Sequence, residues 1–299
     1  MATTLTQENK EYVPSAWETV ACPFCDSSGT RPHEKFGPDH RYTYVQCTSC
    51  DLVYANPRPK YDEEFIRVAY AVYDVENHHF KNEGALSSSE RETVENHKIA
   101  LQQIELHLGR KGRVLDIGCA SGLFVLAAKE LGWSAEGIDV SKEMTDQVRQ
   151  HYGIPTYCGQ YSELDVTRDG KFDVIYSSHV IEHIPNPNEW VRKFRQDLGA
   201  DGIICLNIPN QFSLDRRYKR FLKRMGVRKD DWALWRTPDH LYEPHLKPMT
   251  FLLKKHGFQV LESFTYPTHE QTEPGFVGQI MHRSLKWGAK LRIIAKPLD

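Results

Sequence analysis

Val114-Leu115-Asp116-Ile117-Gly118-Cys119-Ala120-Ser121-Gly122 is the stretch that decides the fold. Its apolar start lies between Gly112 and Gly118 and reads as a short buried strand. A turn of small residues follows, and Leu123-Phe124-Val125-Leu126-Ala127-Ala128 then reads as a helix. Strand, glycine turn and helix together form the entry to a nucleotide-type site in an open α/β sheet. Small residues let a ligand approach the backbone closely, and the helix N-terminus offers N–H groups.

The composition of the turn selects the ligand. A dinucleotide fingerprint needs Gly-x-Gly-x-x-Gly, whereas here Ala120 stands at the second glycine and Gly122 comes two residues later. Asp116 at the strand end would repel a pyrophosphate and attract a cation. S-adenosylmethionine carries an ammonium, a sulfonium and no phosphate. Asp139 closes the next strand, Ala135-Glu136-Gly137-Ile138, 21 residues after Gly118, where an acid can accept both ribose hydroxyls.

These residues resemble the class I S-adenosylmethionine-dependent methyltransferases. The resemblance implies an α/β fold: a seven-stranded Rossmann-like sheet with helices on both faces. It also implies that Asp116, Gly118, Cys119, Ala120, Gly122, Asp139 and Val140 meet the cofactor, together with Gln160, Tyr161 and His179. Family members carry Gly-Asp where this chain has Gly159-Gln160. The Gln160 amide can still bond an adenine edge, and Tyr161 is expected to stack on the ring.

The chain has 299 residues, 40% hydrophobic and 26% charged, which is ordinary globular composition. A formal net charge of -2 makes no global electrostatic case for nucleic acid or membrane. No apolar run approaches a membrane span, and the polar stretch Met1 to Lys10 does not read as a signal peptide, so a cytoplasmic protein is expected. Of seven cysteines, four form two C-x-x-C pairs, Cys22/Cys25 and Cys47/Cys50, with 21 residues between them. That spacing matches a four-thiolate zinc ribbon. Arg41 to Gln46 alternates as a strand of the hairpin between the pairs. With Asp51 to Pro59, this region is similar to the amino-terminal zinc module on a subset of bacterial methyltransferases of sugars and other small metabolites. The expected division is a leader and ribbon over 1–60, a linker or lid and first helix over 61–110, and the methyltransferase domain over 111–299.

Within the linker, Tyr70 or Tyr73 could fold over the cofactor or simply pack between modules. Ser87 and Glu90 make a capping box, and Val94, His97, Leu101, Ile104 and Leu108 recur at helical spacing up to Gly109. Ser141 caps a helix to about Tyr152. Strands are expected at 154–158, 172–178, 203–208, 258–264 and 291–295, with Gly199 to Gly202 as a turn before the third of these.

The run His179-Val180-Ile181-Glu182-His183-Ile184-Pro185 matches the family's second landmark. It falls at the carboxyl edge of the sheet, and i, i+3, i+4 spacing allows one helical face to carry His179, Glu182 and His183. Three roles are open: a histidine general base, a divalent-ion site, or a structural tie. His240 is a further candidate base.

An insertion over 211–247 is the least generic part. Arg216, Arg217, Lys219, Arg220, Lys223, Arg224, Arg228 and Lys229 accompany Tyr218, Phe221, Leu222 and Met225 at helical spacing. This amphipathic basic helix is either a solvated face or a binder of an anionic substrate, such as a nucleotide-linked sugar or a phosphorylated glycan. RNA or a membrane surface is the remaining alternative. Trp232 and Trp235 are candidates for stacking on sugar. The expected activity is methylation of a small sugar-containing or anionic metabolite, on oxygen, with structural zinc. The rival is a zinc-ribbon RNA-binding protein whose methyltransferase-like domain modifies RNA or is inactive.

Overall fold

The computed structural model describes residues 14–36, 42–62, 65, 86–227, 240–267 and 280–298. Tyr70, Tyr73, Arg228, Lys229, Trp232 and Trp235 lie outside them.

The amino-terminal module begins with β1 (Trp17–Glu18), followed by β2 (Thr30–Phe36), β3 (Tyr42–Cys47), β4 (Val53–Ala55) and β5 (Arg58–Pro59). β1 and β5 pair with each other, while β2, β3 and β4 form an antiparallel meander. Its buried Tyr42 and Tyr44 follow the period-two pattern expected of β3, and buried Cys47 at the strand end departs from it. Helix α1 (Ser88–Leu108) opens on the expected capping box. Ser87 Oγ accepts from Glu90 N at 3.3 Å, Ser87 N donates to Glu90 Oε2 at 2.6 Å, and left-handed Gly109 closes the helix.

Then come β6 (Arg113–Ile117), α2 (Leu123–Glu130), β7 (Ser134–Asp139), α3 (Lys142–Tyr152), β8 (Thr156–Cys158), β9 (Phe172–Ser178), α4 (Pro187–Asp197) and β10 (Leu198–Pro209). The expected turn over Gly199 to Gly202 is absorbed into β10. Helix α4 passes into the strand without a loop, and the irregularity survives only as a register break between Leu198 and Ile203. Helix α5 (Leu214–Arg224), β11 (Tyr242–Glu243), α6 (Leu246–Lys255), β12 (Phe258–Tyr266) and β13 (Lys290–Pro297) complete the order.

Seven strands form one sheet in the order β12-β13-β10-β9-β6-β7-β8. β6 to β10 are parallel, and β13 runs antiparallel to both β10 and β12. The strands feed two cores by alternation. Val114, Val174, Tyr176 and Cys205 pack with Leu101, Ile104, Phe124 and Val125 of α1 and α2. Leu115, Ile117, Ile175, Ile204 and Leu206 face the other way, against Trp190, Phe194, Met249 and Leu252 of α4 and α6. Both faces are therefore covered, as a central parallel sheet requires. The expected sheet is present in full.

The second core does not stop at the sheet. It continues into Cys22, Phe24, Cys47, Leu52 and Tyr54 of the amino-terminal module. β11 then adds a fourth strand to the meander, pairing Tyr242 with Tyr54 and Glu243 with Val53. A division drawn at residue 60 thus cuts through a sheet that residues 242–243 complete. No helix among the described residues is long and apolar enough to cross a membrane.

Candidate active site

The turn after β6 is built from left-handed residues: Gly118 at φ 78°, Ala120 at φ 45° and Gly122 at φ 74°. Glycine is needed at the first position for a second reason, because a Cβ there would stand 2.3 Å from Val180 Cγ2. The turn consumes its own amides. Gly118 N and Cys119 N donate to Ile138 O at 2.8 and 2.9 Å, and Gly122 N donates to Cys119 O at 2.8 Å. Ala120 N donates to Asp139 Oδ2, and Ser141 N to Asp139 Oδ1, both at 2.9 Å. A phosphate would find these donors already taken, whereas a cation finds two carboxylates. Asp116 is buried, and burial together with the charge of Asp139 raises its carboxyl well above the usual range. This donor and acceptor set fits S-adenosylmethionine, whose ammonium and sulfonium need anionic neighbours. Cys119 is buried beneath the turn, and burial keeps its thiol protonated. Val140 is exposed at the end of β7 and Gln160 is partly exposed after β8.

Tyr161 does not stack on a cofactor ring. Its side chain is buried against Trp190 at 5.3 Å and Phe194 at 5.6 Å, and its hydroxyl donates to Asp197 Oδ2 at 2.8 Å. The aromatic ring that sequence assigned to adenine is a core residue fastening α4.

The second landmark also departs from expectation. His179 lies just past β9 in left-handed backbone (φ 58°), and Ile181–His183 forms a single 3-10 turn, so the three residues do not share a helical face. His179 N donates to Asn207 O at 2.9 Å, which fixes the strained residue to β10. His179 Nδ1 still meets Glu182 Oε1 at 3.3 Å. His183 packs edge-to-face on His240, with ring centroids 4.7 Å apart. Ligand atoms of Glu182, His183 and His240 all lie within 4.8 Å of one another, and all three residues are buried.

Glu182 is fully buried, and its Oε2 has no hydrogen-bond partner among the described residues; nor has His179 Nε2. Burial pushes the Glu182 carboxyl up. The hydrogen bond from His179 and the charges of the surrounding imidazoles outweigh it and hold the group at about 2. For His179 burial dominates and lowers the pKa, which favours the neutral ring. The cluster is a buried carboxylate ringed by imidazoles.

Sequence reading missed Glu243, Arg216 and Gln211 in this site. His240 Nδ1 lies 3.2 Å from Glu243 Oε1, and Arg216 Nη1 donates to Glu243 Oε2 at 3.2 Å and to Gln211 Oε1 at 2.5 Å. A signal was available: His240-Leu-Tyr-Glu243 repeats the His-x-x-Glu spacing of His179-Val-Ile-Glu182. Leu241 N donates to Glu182 O at 3.0 Å, and the Tyr242 hydroxyl donates to Ile181 O. The two His-x-x-Glu segments are thereby laced together.

The four predicted thiolates meet. Cys22 Sγ and Cys50 Sγ are 3.5 Å apart, Cys25 Sγ and Cys47 Sγ 3.4 Å, and all four lie within 4.8 Å of one another. Four sulfurs on a tetrahedral zinc with bonds of about 2.3 Å stand ~3.8 Å apart, so the cluster fits a zinc ribbon.

The model of the Methyltransferase domain family matches residues 93–263, more than half of the chain, and the chain belongs to that family. It is an S-adenosylmethionine-dependent methyltransferase. A ubiquinone biosynthesis O-methyltransferase of Coxiella burnetii (strain RSA 331 / Henzerling II) is 24% identical over 171 residues, 55% of this chain and 71% of that protein. One from Glaesserella parasuis serovar 5 is 30% identical over 108 residues, 33% of this chain and 46% of that protein. In fold, the chain is similar to the PH0226 protein of Pyrococcus horikoshii OT3, with TM-score 0.50 and 15% identity over 79% of this chain and 99% of the other.

Proposed function

We propose that this methyltransferase methylates a hydroxyl oxygen of a small anionic metabolite, with a sugar-containing acceptor as the leading class. One observation carries the substrate class. A cavity of about 440 Å³ is lined by Asn210, Phe212, Arg217, His245, Lys247 and Lys286, with Trp287 among its other residues and no carboxylate. Asn210, one of its lining residues, follows β10 at the sheet end where His179 sits, which supports an acceptor approaching from that edge; the cavity is not lined by His179, Glu182, His183 or His240 themselves. Lys247 is ion-paired to Asp51, and Arg217 and Lys286 favour a phosphate or carboxylate, while the aromatic rings favour a flat or sugar moiety. The oxygen acceptor is supported by the O-methyltransferase names of the Coxiella and Glaesserella relatives.

S-adenosylmethionine supplies an already activated methyl group, so the protein must align the acceptor, exclude water and remove one proton. His240 is the base in this reading. Glu243 lies 3.2 Å from its Nδ1 and Arg216 holds Glu243, which orients the ring for a role in taking up the hydroxyl proton. Glu182 and His183 lie beside His240, the ligand atoms of all three being within 4.8 Å of one another. A second reading rests on the unpartnered Glu182 Oε2: Glu182, His183 and His240 bind a divalent ion that lowers the pKa of the hydroxyl. Cys22, Cys25, Cys47 and Cys50 hold structural zinc in either case.

The test is methyl transfer to nucleotide-linked sugars, phosphorylated glycans and phenolic acids, with the product located by NMR. An O-methyl product from an anionic acceptor is expected, and His240→Ala should lower kcat by about 10²–10⁴ while S-adenosylmethionine binding persists. Methylation only of neutral acceptors, or at nitrogen or carbon, overturns the proposal. Loss of activity in metal-stripped enzyme that Mg²⁺ or Mn²⁺ restores, with zinc still on the thiolates, selects the second reading.

A further inference from the structure

Helix α5 is mounted the wrong way round for a soluble protein. Leu214, Tyr218 and Phe221 of the helix and Met225 at its C-cap are 46%, 59%, 56% and 63% exposed, and α5 buries no residue. At ~100° per residue these four fall on one narrow stripe. The opposite side of the helix is polar and faces the protein. Arg216 Nη1 pairs with Glu243 Oε2 at 3.2 Å, and Lys223 Nζ pairs with Glu34 Oε1 of β2 at 2.6 Å. Ion pairs thus hold α5 down, and its hydrophobic stripe points outward. Phe212 before the helix and Val227 after it extend the exposed apolar surface.

The flanks of the stripe are cationic. Arg217 and Arg224 are exposed on one side, and Lys219, paired to Asp215 at 2.5 Å, lies on the other. The helix carries Arg216, Arg217, Lys219, Arg220, Lys223 and Arg224 against the single carboxylate Asp215, in a chain of net charge -2. An apolar ridge with aromatic residues at its centre and cations along its sides matches a helix lying in the plane of a lipid headgroup layer. Single-stranded RNA would instead call for cations aimed outward, and here the cations at the back of the helix are spent on Glu243 and Glu34.

We propose that α5 docks this protein on anionic lipid surfaces, with Leu214, Tyr218, Phe221 and Met225 entering the headgroup layer and Arg217 and Arg224 meeting lipid phosphates. The attachment is peripheral. It stands on the outward stripe, none of whose four residues lines the cavity proposed for the acceptor; of the two arginines only Arg217 also lines that cavity.

The full-length chain is floated with vesicles of phosphatidylcholine alone and with vesicles containing about one-third phosphatidylglycerol. Binding to the anionic vesicles should be at least about tenfold tighter and should weaken with salt. The double substitution Tyr218→Ser/Phe221→Ser should lower it about tenfold or more, and Arg217→Ser/Arg224→Ser should remove the dependence on anionic lipid. Circular dichroism and S-adenosylmethionine binding check that both variants remain folded. Equal binding by wild type and Tyr218→Ser/Phe221→Ser overturns the proposal, as does absence of vesicle binding. So does a dimer in light scattering that Phe221→Ser dissociates, or an RNA complex that Arg217→Ser/Arg224→Ser abolishes.

Discussion

Asp116 and Asp139 do different work, although both end a strand beside the same turn. Asp139 spends its oxygens on Ala120 N and Ser141 N and so shapes the turn. Removing it by Asp139→Ala should cost about 1–3 kcal/mol in urea unfolding, because two amides lose their acceptor. Asp116, we propose, is the group that answers to the ligand's charge. Its pKa is raised by burial first and by Asp139 second, so the folded protein favours its protonated form, and that contribution to stability fades as pH rises through the raised pKa. A sulfonium bound beside it would reverse the preference. S-adenosylmethionine should therefore bind more tightly, and raise the melting temperature further, as pH rises through that range. Calorimetry on Asp116→Asn should show roughly 10–100-fold weaker binding and a flattened pH response. An unchanged pH profile in the variant would remove Asp116 from the cofactor site.

Among elements, α1 and the loop after β9 show how local rules hold and fail. The capping box of α1 is local chemistry, and Ser87→Ala should lower stability by about 1 kcal/mol, measured by thermal melting. The i, i+3, i+4 spacing of His179, Glu182 and His183 is equally regular, but no helix forms there. Positive φ at His179 and the bond from its amide to Asn207 O end the strand abruptly, and only one 3-10 turn follows. The same corner explains Gly118. Its Cβ position is occupied by Val180, so Gly118→Ala combines a steric clash with an unfavourable left-handed φ. It should lose about 1–3 kcal/mol and weaken cofactor binding through displacement of the turn.

At the level of the whole molecule, the thiolate module and the corner that holds Glu182 and His240 are one construction. β11 pairs with β4 of the ribbon, Ala55 N donates to Leu241 O at 3.0 Å, and Leu241 N donates to Glu182 O at 3.0 Å. Phe24, between two of the cysteines, packs edge-to-face on Tyr242 at 5.1 Å. Lys255 and Lys247 of α6 add ion pairs to Asp26 and Asp51. The ribbon therefore supports the segment that carries His240. Metal removal with a strong chelator, or Cys22→Ser, should abolish methyl transfer while much of the S-adenosylmethionine affinity remains, because the cofactor turn hangs on β6 and β7. Full activity in a chain shown by elemental analysis to lack metal would contradict this coupling.

The strand-turn-helix at Val114 to Ala128, the positions of most sheet strands along the chain and the two C-x-x-C pairs were legible in the residues alone. Each is a local pattern: period two, period 3.6, or two thiolates on one knuckle. Tyr161 could not be placed that way, because whether an aromatic ring faces a ligand or the core depends on Trp190, Phe194 and Asp197 some thirty residues away. The pairing of His183 with His240 and the ribbon's fourth strand at 242–243 were beyond local reading for the same reason. The inward polar face of α5 likewise follows from Glu243 and Glu34, which lie far from that helix in the chain. Periodicity fixes which side chains share a face, but only distant partners determine which way the face is turned.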